Sequence, residues 1–295
     1  HCHGRTIAMA TQLIMLLLPL LARAMVAMAP PARLAPLADL QLRRATDGAD
    51  VNVETLLSEQ RRALLVLGTY PADFNMVEYL QKLRHYAPAL REKGVERTLV
   101  TVNGSPESCL KLSTLLDLPE EIELFSDPSG AAGRAFGVSR GWLPDENLSP
   151  YLKLFGMLFG LGAGGTLPSV IAGYIGNPWG TADWIESALA QGQAAGRWPN
   201  TALKLDESGA VVSNSFDELP LVGSWGRRPL ELATLRLQTM IGVSLAHWKE
   251  LGPTDDRCLT QLGGCVLVDG SEVKYEWKDS GICGTANFED LLKAL

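Results

Sequence analysis

The stretch LLVLGTYPADFNMVEYLQ occupies Leu64–Gln81, and the fold turns on how it is parsed. With Ala63 in front, Ala63–Leu67 is an unbroken apolar run of the length that suits a strand buried on both faces. Gly68 and Pro71 then mark a turn. Beyond it, Met76, Leu80, Leu83, Ala87 and Leu90 recur at helical spacing. This predicts a helix over Met76–Lys93 that Gly94 stops and Pro88 kinks. Side chains at the start of that helix feel the positive end of its dipole.

The same alternation continues outward. Arg97–Asn103 predicts a second strand. Ser105 is placed to cap the next helix, with Pro106 at its first position, Glu107 in its first turn and Cys109, Leu112 and Leu116 as its apolar stripe. Ile122–Asp127 predicts a third strand and residues 128–139 a short helix. Late in the chain, Cys265–Trp277 holds two apolar runs around Asp269 and Gly270, a hairpin signal, and Phe288, Leu291, Leu292 and Leu295 mark a closing helix. Close strand–helix alternation with a terminal hairpin predicts an α/β fold with a mixed central sheet between helical layers.

Between these parts lies a long, mainly helical insertion at about 142–257. Ser149–Gly176 is apolar and glycine-rich, with Gly156 and Gly160 at GxxxG spacing. Lys153, Gly164, Gly165 and Pro168 interrupt it, so a buried or surface-lying helix pair is favoured over membrane contact. Pro229 opens what should be one long amphipathic helix, with Leu230, Ala233, Leu237, Met240, Ile241 and Trp248 on its apolar face. Trp142, Trp179, Trp184 and Trp198 lie in the insertion, either as a contact surface or as filling for a small extra core.

Composition narrows the function. A net charge of −7 and a pI near 5.2, with no basic stripe, argue against a phosphate-binding surface and against nucleic acid. Five cysteines, with no CxxC pair among them, exclude the usual zinc and dithiol spacings. No metal or cofactor is expected, and the His1-Cys2-His3 start is read as a processed or truncated end. Leu13–Leu21 is an apolar run preceded by Arg5 and followed by Ala22-Arg23-Ala24, as in a secretory-type signal. Residues 25–48, rich in Ala, Pro and Arg, suit a transit segment. Residues 1–45 are therefore assigned to targeting, into a plastid or alternatively the secretory pathway, and 46–295 to the folded domain.

The elements of the domain are those of a thioredoxin-like fold, and YPADFNMV at Tyr70–Val77 resembles the active-site loop of the AhpC/TSA peroxiredoxins, P-x-x-x-T/S-x-x-C. Setting Pro71 on the proline of that motif puts Asn75 on the Thr/Ser and Glu78 on the peroxidatic cysteine. Gly263–Gly270 is similar to the family's R-G-x-F-I-I-D strand, with Gly263 where the activating arginine stands. The runs at 78–90, 125–138, 227–243 and 262–282 extend the likeness over most of residues 63–295 to the peroxiredoxin-like proteins of cyanobacteria and plastids. The resemblance implies a redox-associated plastid protein whose nucleophile has been replaced. A carboxylate lacks the nucleophilicity of a thiolate toward peroxide and forms no sulfenic acid.

Other thiols are weaker candidates. Cys109 lies on an apolar stripe, Cys265 opens a central strand, and Cys258 and Cys283 flank the hairpin where a regulatory disulfide is conceivable. His85 and His247 stand beside no Ser or Cys motif, and Gly160–Gly165 follows a helix and lacks the dinucleotide-loop spacing. The favoured expectation is a binding or regulatory protein, with a plastid protein as a candidate partner and enzyme activity left open. A thiol oxidoreductase using Cys109, Cys258, Cys265 or Cys283 is the alternative, and a membrane-associated assembly factor the third.

Overall fold

The computed structural model describes residues 34–58, 61–95, 97–176, 181–199, 202–223, 226–270 and 272–295. The described chain enters through helix α1 (Ala35–Ala38) and a hairpin of β1 (Gln41–Arg44) and β2 (Asp50–Asn52), then α2 (Val53–Ser58). It continues as β3 (Arg62–Leu67), α3 (Phe74–Glu92), β4 (Thr98–Val102), α4 (Pro106–Leu116), β5 (Ile122–Ser126) and α5 (Ala131–Phe136). The insertion carries α6 (Pro150–Leu158), α7 (Thr166–Ile175) and α8 (Asp183–Ala194), a small hairpin of β6 (Leu203–Leu205) and β7 (Val211–Asn214), and α9 (Glu231–Thr239). A π-helix over Met240–Leu245, α10 (Trp248–Leu251) and a 3-10 turn over Asp256–Leu259 complete it. The chain closes with β8 (Gly264–Asp269), β9 (Glu272–Lys278) and α11 (Phe288–Lys293).

One seven-stranded sheet runs β2-β1-β5-β4-β3-β8-β9. Strands β3, β4 and β5 pair in parallel, while β8 lies antiparallel to β3 and β9 antiparallel to β8, so the sheet is mixed as the sequence predicts. Strand alternation divides the core between the two faces. Leu64 and Val66 join one cluster with Met76, Leu80 and Leu83 of α3, Cys109 and Leu112 of α4, and Phe288 of α11. Ala63, Leu65 and Leu67 join the other with Leu34, Leu37, Leu56 and Phe136. The three-layer α/β arrangement is thioredoxin-like. Each face buries enough apolar surface for helices to be held on both sides.

Several expectations change. Residues 34–45, given to targeting on composition, belong to the fold: Leu34, Leu37 and Leu42 are buried, and β1 pairs with β5. Their Ala and Pro content suits a transit segment, yet their leucines recur where a strand and a helical turn need them. The earlier apolar run, Cys2, His1, His3 and Trp179 lie outside the described residues. Helix α3 starts at Phe74, two residues earlier than periodicity suggested, and runs unbroken through Pro88. Gly94, at φ +83°, does follow its end.

The insertion is mainly helical, with the β6–β7 hairpin unforeseen. The long helix is in fact α9, a π segment and α10 in succession, and Leu230, at φ +67°, stands before it. Leu235 and Val243 are buried, while Leu230 and Leu237, both before the π segment, and Ile241 within it are at least half exposed, so the buried face is not the one that periodicity marked. The GxxxG pair serves no helix packing. A Cβ on Gly156 would stand 2.6 Å from the Trp142 ring, and Gly160 turns the chain at φ +91°. Helices α6 and α7 are the expected surface pair, leaving Tyr151, Phe155, Phe159 and Ile171 more than half exposed. Among the described residues no helix is long and apolar enough to cross a membrane.

Candidate functional site

The turn after β3 is set by close approaches. A Cβ on Gly104 would fall 2.6 Å from Pro71 Cγ, so the β4–α4 loop reaches the proline only because residue 104 is glycine. Asp73, in extended conformation, is the N-cap residue of α3. The insertion covers this turn. Ala72 N donates to Leu251 O at 3.0 Å and Ser244 Oγ donates to Ala72 O at 2.7 Å. Trp248 packs edge-on to Tyr70 with centroids 6.3 Å apart, and Ser108 Oγ donates to Glu250 O at 2.6 Å. The helix mouth is therefore capped by the π segment and α10.

Glu78 is not at that mouth. It lies in the second turn of α3, 4% exposed, so the helix amides do not hold it. Cations do. Lys82, one turn on, places Nζ 3.1 Å from Oε1, and Arg236 of α9 places Nε and Nη2 3.0 Å from Oε2. Thr285 Oγ1 donates to Oε1 at 2.9 Å. Burial would raise the Glu78 pKa, but Arg236, Lys82 and Thr285 outweigh it and bring the carboxyl down to about 2. Lys82 also donates to Thr285 Oγ1 and Ala286 O, so all three of its protons are used. Arg236 reaches Ser169 O and Cys283 O as well. The result is a saturated ion cluster tying α3 to α9 and to the segment before α11.

Asn75 and Gly263 meet on a different carboxylate, Asp279. Asn75 Nδ2 donates to Asp279 Oδ2 at 2.8 Å, and Tyr79 Oη and Trp277 Nε1 donate to Oδ1 at 2.7 and 3.1 Å. A Cβ on Gly263 would stand 3.0 Å from Oδ2 and 2.8 Å from Leu67 O, so no arginine fits here without a shift. Burial pushes Asp279 up to about 7 against its donors, with nearby Asp73 adding to the rise. Asp73 is likewise pushed up by burial, to about 6.

The four described cysteines are free. Cys109 and Cys265 are fully buried core thiols. Cys258 Sγ lies against Pro128 O, whereas Cys283 N donates to Asn75 Oδ1, so the hairpin-flanking pair forms no disulfide. Burial raises all four thiols: Cys109, Cys258 and Cys283 to about 12, Cys265 further still. Cys283 lines a cavity, and there Arg236 opposes the rise while Glu78 reinforces it.

That cavity, about 490 Å³, opens over the ion cluster. Its walls are Tyr86, Trp184, Ile185, Leu232 and Trp277, with Glu289 and Asn287 among the polar groups. Lys82 Nζ sits 4.8 Å from the Trp184 ring centroid, and Tyr86 stacks on Phe288 at 5.5 Å. Trp184 thus lines the site, while Trp142 and Trp198 fill space beside Gly156 and Gly192. Such walls accept a flat or aliphatic body with one polar end. Among the described residues no group of three or more His, Cys, Asp or Glu is arranged to hold a metal.

Lys82, at i+4 from Glu78, was open to inspection in the sequence, whereas Arg236, Thr285 and Asp279 carry no local signal. A family model described as AhpC/TSA antioxidant enzyme matches residues 82–281, more than half of the chain and starting just beyond Glu78. No curated protein matches the chain.

Proposed function

From the premise that the chain belongs to the AhpC/TSA family, a thioredoxin-fold and redox-related group, we propose that it is a member without cysteine-peroxidase activity that binds a small ligand in the cavity above Glu78. One observation carries this: Glu78, which the motif resemblance sets on the peroxidatic position, is held in a saturated ion cluster by Lys82, Arg236 and Thr285. Glu78 is an anion fixed by two cations, a poor base at about 2 and no nucleophile toward peroxide. Beside it an apolar-walled cavity remains open.

The ligand class that suits the walls is a small amphipathic molecule with an aromatic or aliphatic body. Its polar end would meet Glu289 and Asn287. Composition of the N-terminal segment supports import into a plastid and a plastid protein as partner. Steady-state peroxide consumption with dithiothreitol tests the reading; no rate above that of the reductant alone is expected. Trp184 and Trp277 line the cavity, so ligand entry should quench tryptophan fluorescence and saturate.

A second reading rests on Cys283, the described thiol that faces this cavity next to Arg236. Peroxide turnover abolished by Cys283→Ser would establish it and overturn the first. A thiol held near 12 leaves only a trace of thiolate at neutral pH, which favours the non-peroxidatic reading.

A further inference from the structure

Where the insertion leaves the core and where it returns, four cations converge on a separate cavity of about 90 Å³. Arg134 comes from α5, Arg140 from the loop beyond it, Lys153 from α6 and Arg257 from the 3-10 turn. They are far apart in sequence, so no basic stripe announces them. Two are matched by neighbouring carboxylates: Arg140 Nη2 lies 2.6 Å from Asp145 and Arg257 Nη2 2.5 Å from Asp255. Asp256 also faces the cavity.

Lys153 is the informative residue. It is 6% exposed, and its ammonium donates to Glu146 O at 2.7 Å and Pro144 O at 3.4 Å, with no carboxylate of the described residues as partner. A buried cation held only by carbonyl dipoles retains a charge that desolvation makes costly, and an anion beside it removes much of that cost. Arg134 is half-buried: its Nη1 donates to Ser129 O and Gln261 Oε1, and its nearest described carboxylate influence is Asp255, with which it forms no direct ion pair. Pro150, the first residue of α6, lines the same cavity, so the positive end of a nine-residue helix adds to the field.

We infer that this cavity binds a tetrahedral oxyanion of the phosphate class, held by Lys153 and Arg134 and framed by Arg140 and Arg257. The volume is about three times the share of one liquid water, ~30 Å³, which limits the enclosed part to a single phosphate group. The organic part of a phosphomonoester would project past the exposed Arg140 and Arg257. A bound anion joins α5, α6 and the 3-10 turn, the two roots of the insertion, so occupancy clamps the cap onto the core. This site is independent of the cavity above Glu78.

The test is thermal unfolding of the full chain titrated with inorganic phosphate, against chloride at matched ionic strength. A saturable rise in Tm with phosphate, absent with chloride, is expected. Glycerol 2-phosphate is a second arm: tighter binding than phosphate identifies an organic phosphate as the source, and weaker binding identifies the free ion. Lys153→Met and Arg134→Gln should each weaken the phosphate response about tenfold or more, as loss of a charge-assisted hydrogen bond implies. If Lys153→Met does not fold, Arg134→Gln and Arg140→Gln carry the test. A phosphate response equal to that of chloride, or one that survives the substitutions, overturns the inference.

Discussion

At the scale of single residues, Glu78 and Asp279 are two buried carboxylates with opposite fates. Glu78 has two cations and a hydroxyl and stays charged; Asp279 has three neutral donors and is pushed toward protonation. Glu78→Ala would leave Arg236 and Lys82 buried without a counter-charge, and a loss of about 3–5 kcal/mol in urea unfolding is expected. The pH dependence follows by linkage. The Glu78 carboxyl is depressed from 4.5 to about 2, so its contribution is present above pH 4.5 and disappears as pH falls through about 2. The Asp279 carboxyl is raised from 3.8 to about 7, so its contribution is present below pH 3.8 and disappears as pH rises through about 7. Asp279→Asn should flatten the decline in stability between those two values, by up to a few kcal/mol, measured from urea midpoints across that range. Glu78 drew notice in the sequence because a family motif pointed to its position. Asp279 drew none, because a carboxylate after a strand looks like any solvated turn residue until its donors are seen.

At the scale of elements, local signals read truly and distant ones did not. Ser105 caps α4 by accepting from Ser108 N, with Pro106 and Glu107 placed as the sequence predicts. Everything that decides this cap lies within four residues. The segment at 229–248 misled twice: the π segment over Met240–Leu245 ends the single helix that periodicity assumes, and Leu230 and Leu237 ahead of it are apolar yet half exposed, so apolar spacing did not mark the buried face. That segment presents Ser244 to Ala72 O, so Ser244→Ala should cost about 1 kcal/mol and loosen the cap, read as faster hydrogen exchange at Ala72. Helix α8 supplies a sign reversal. Gly→Ala inside a helix ordinarily stabilises by about 0.5–1 kcal/mol. At Gly192 the new Cβ would sit 1.6 Å from Trp198 Cζ2, so a net loss of about 1–3 kcal/mol is expected from thermal unfolding.

At the scale of the whole molecule, the insertion and the N-terminal hairpin are integral to the domain. Residues 34–45 bury three leucines and extend the sheet. A chain shortened to begin at residue 46 should lose cooperative unfolding relative to the full chain, as near- and far-ultraviolet circular dichroism would show. By itself the sequence determined the βα order, the buried strand at the apolar run Ala63–Leu67, the Ser105 cap and the closing hairpin. These are short-range properties, written in periodicity and in neighbours a few residues apart. Only the tertiary structure decided that Glu78 pairs with Arg236, that Asn75 and Gly263 gather on Asp279, and that four scattered cations share one cavity. Those contacts join residues up to about two hundred positions apart, and their energies depend on burial and distance, which no linear pattern records.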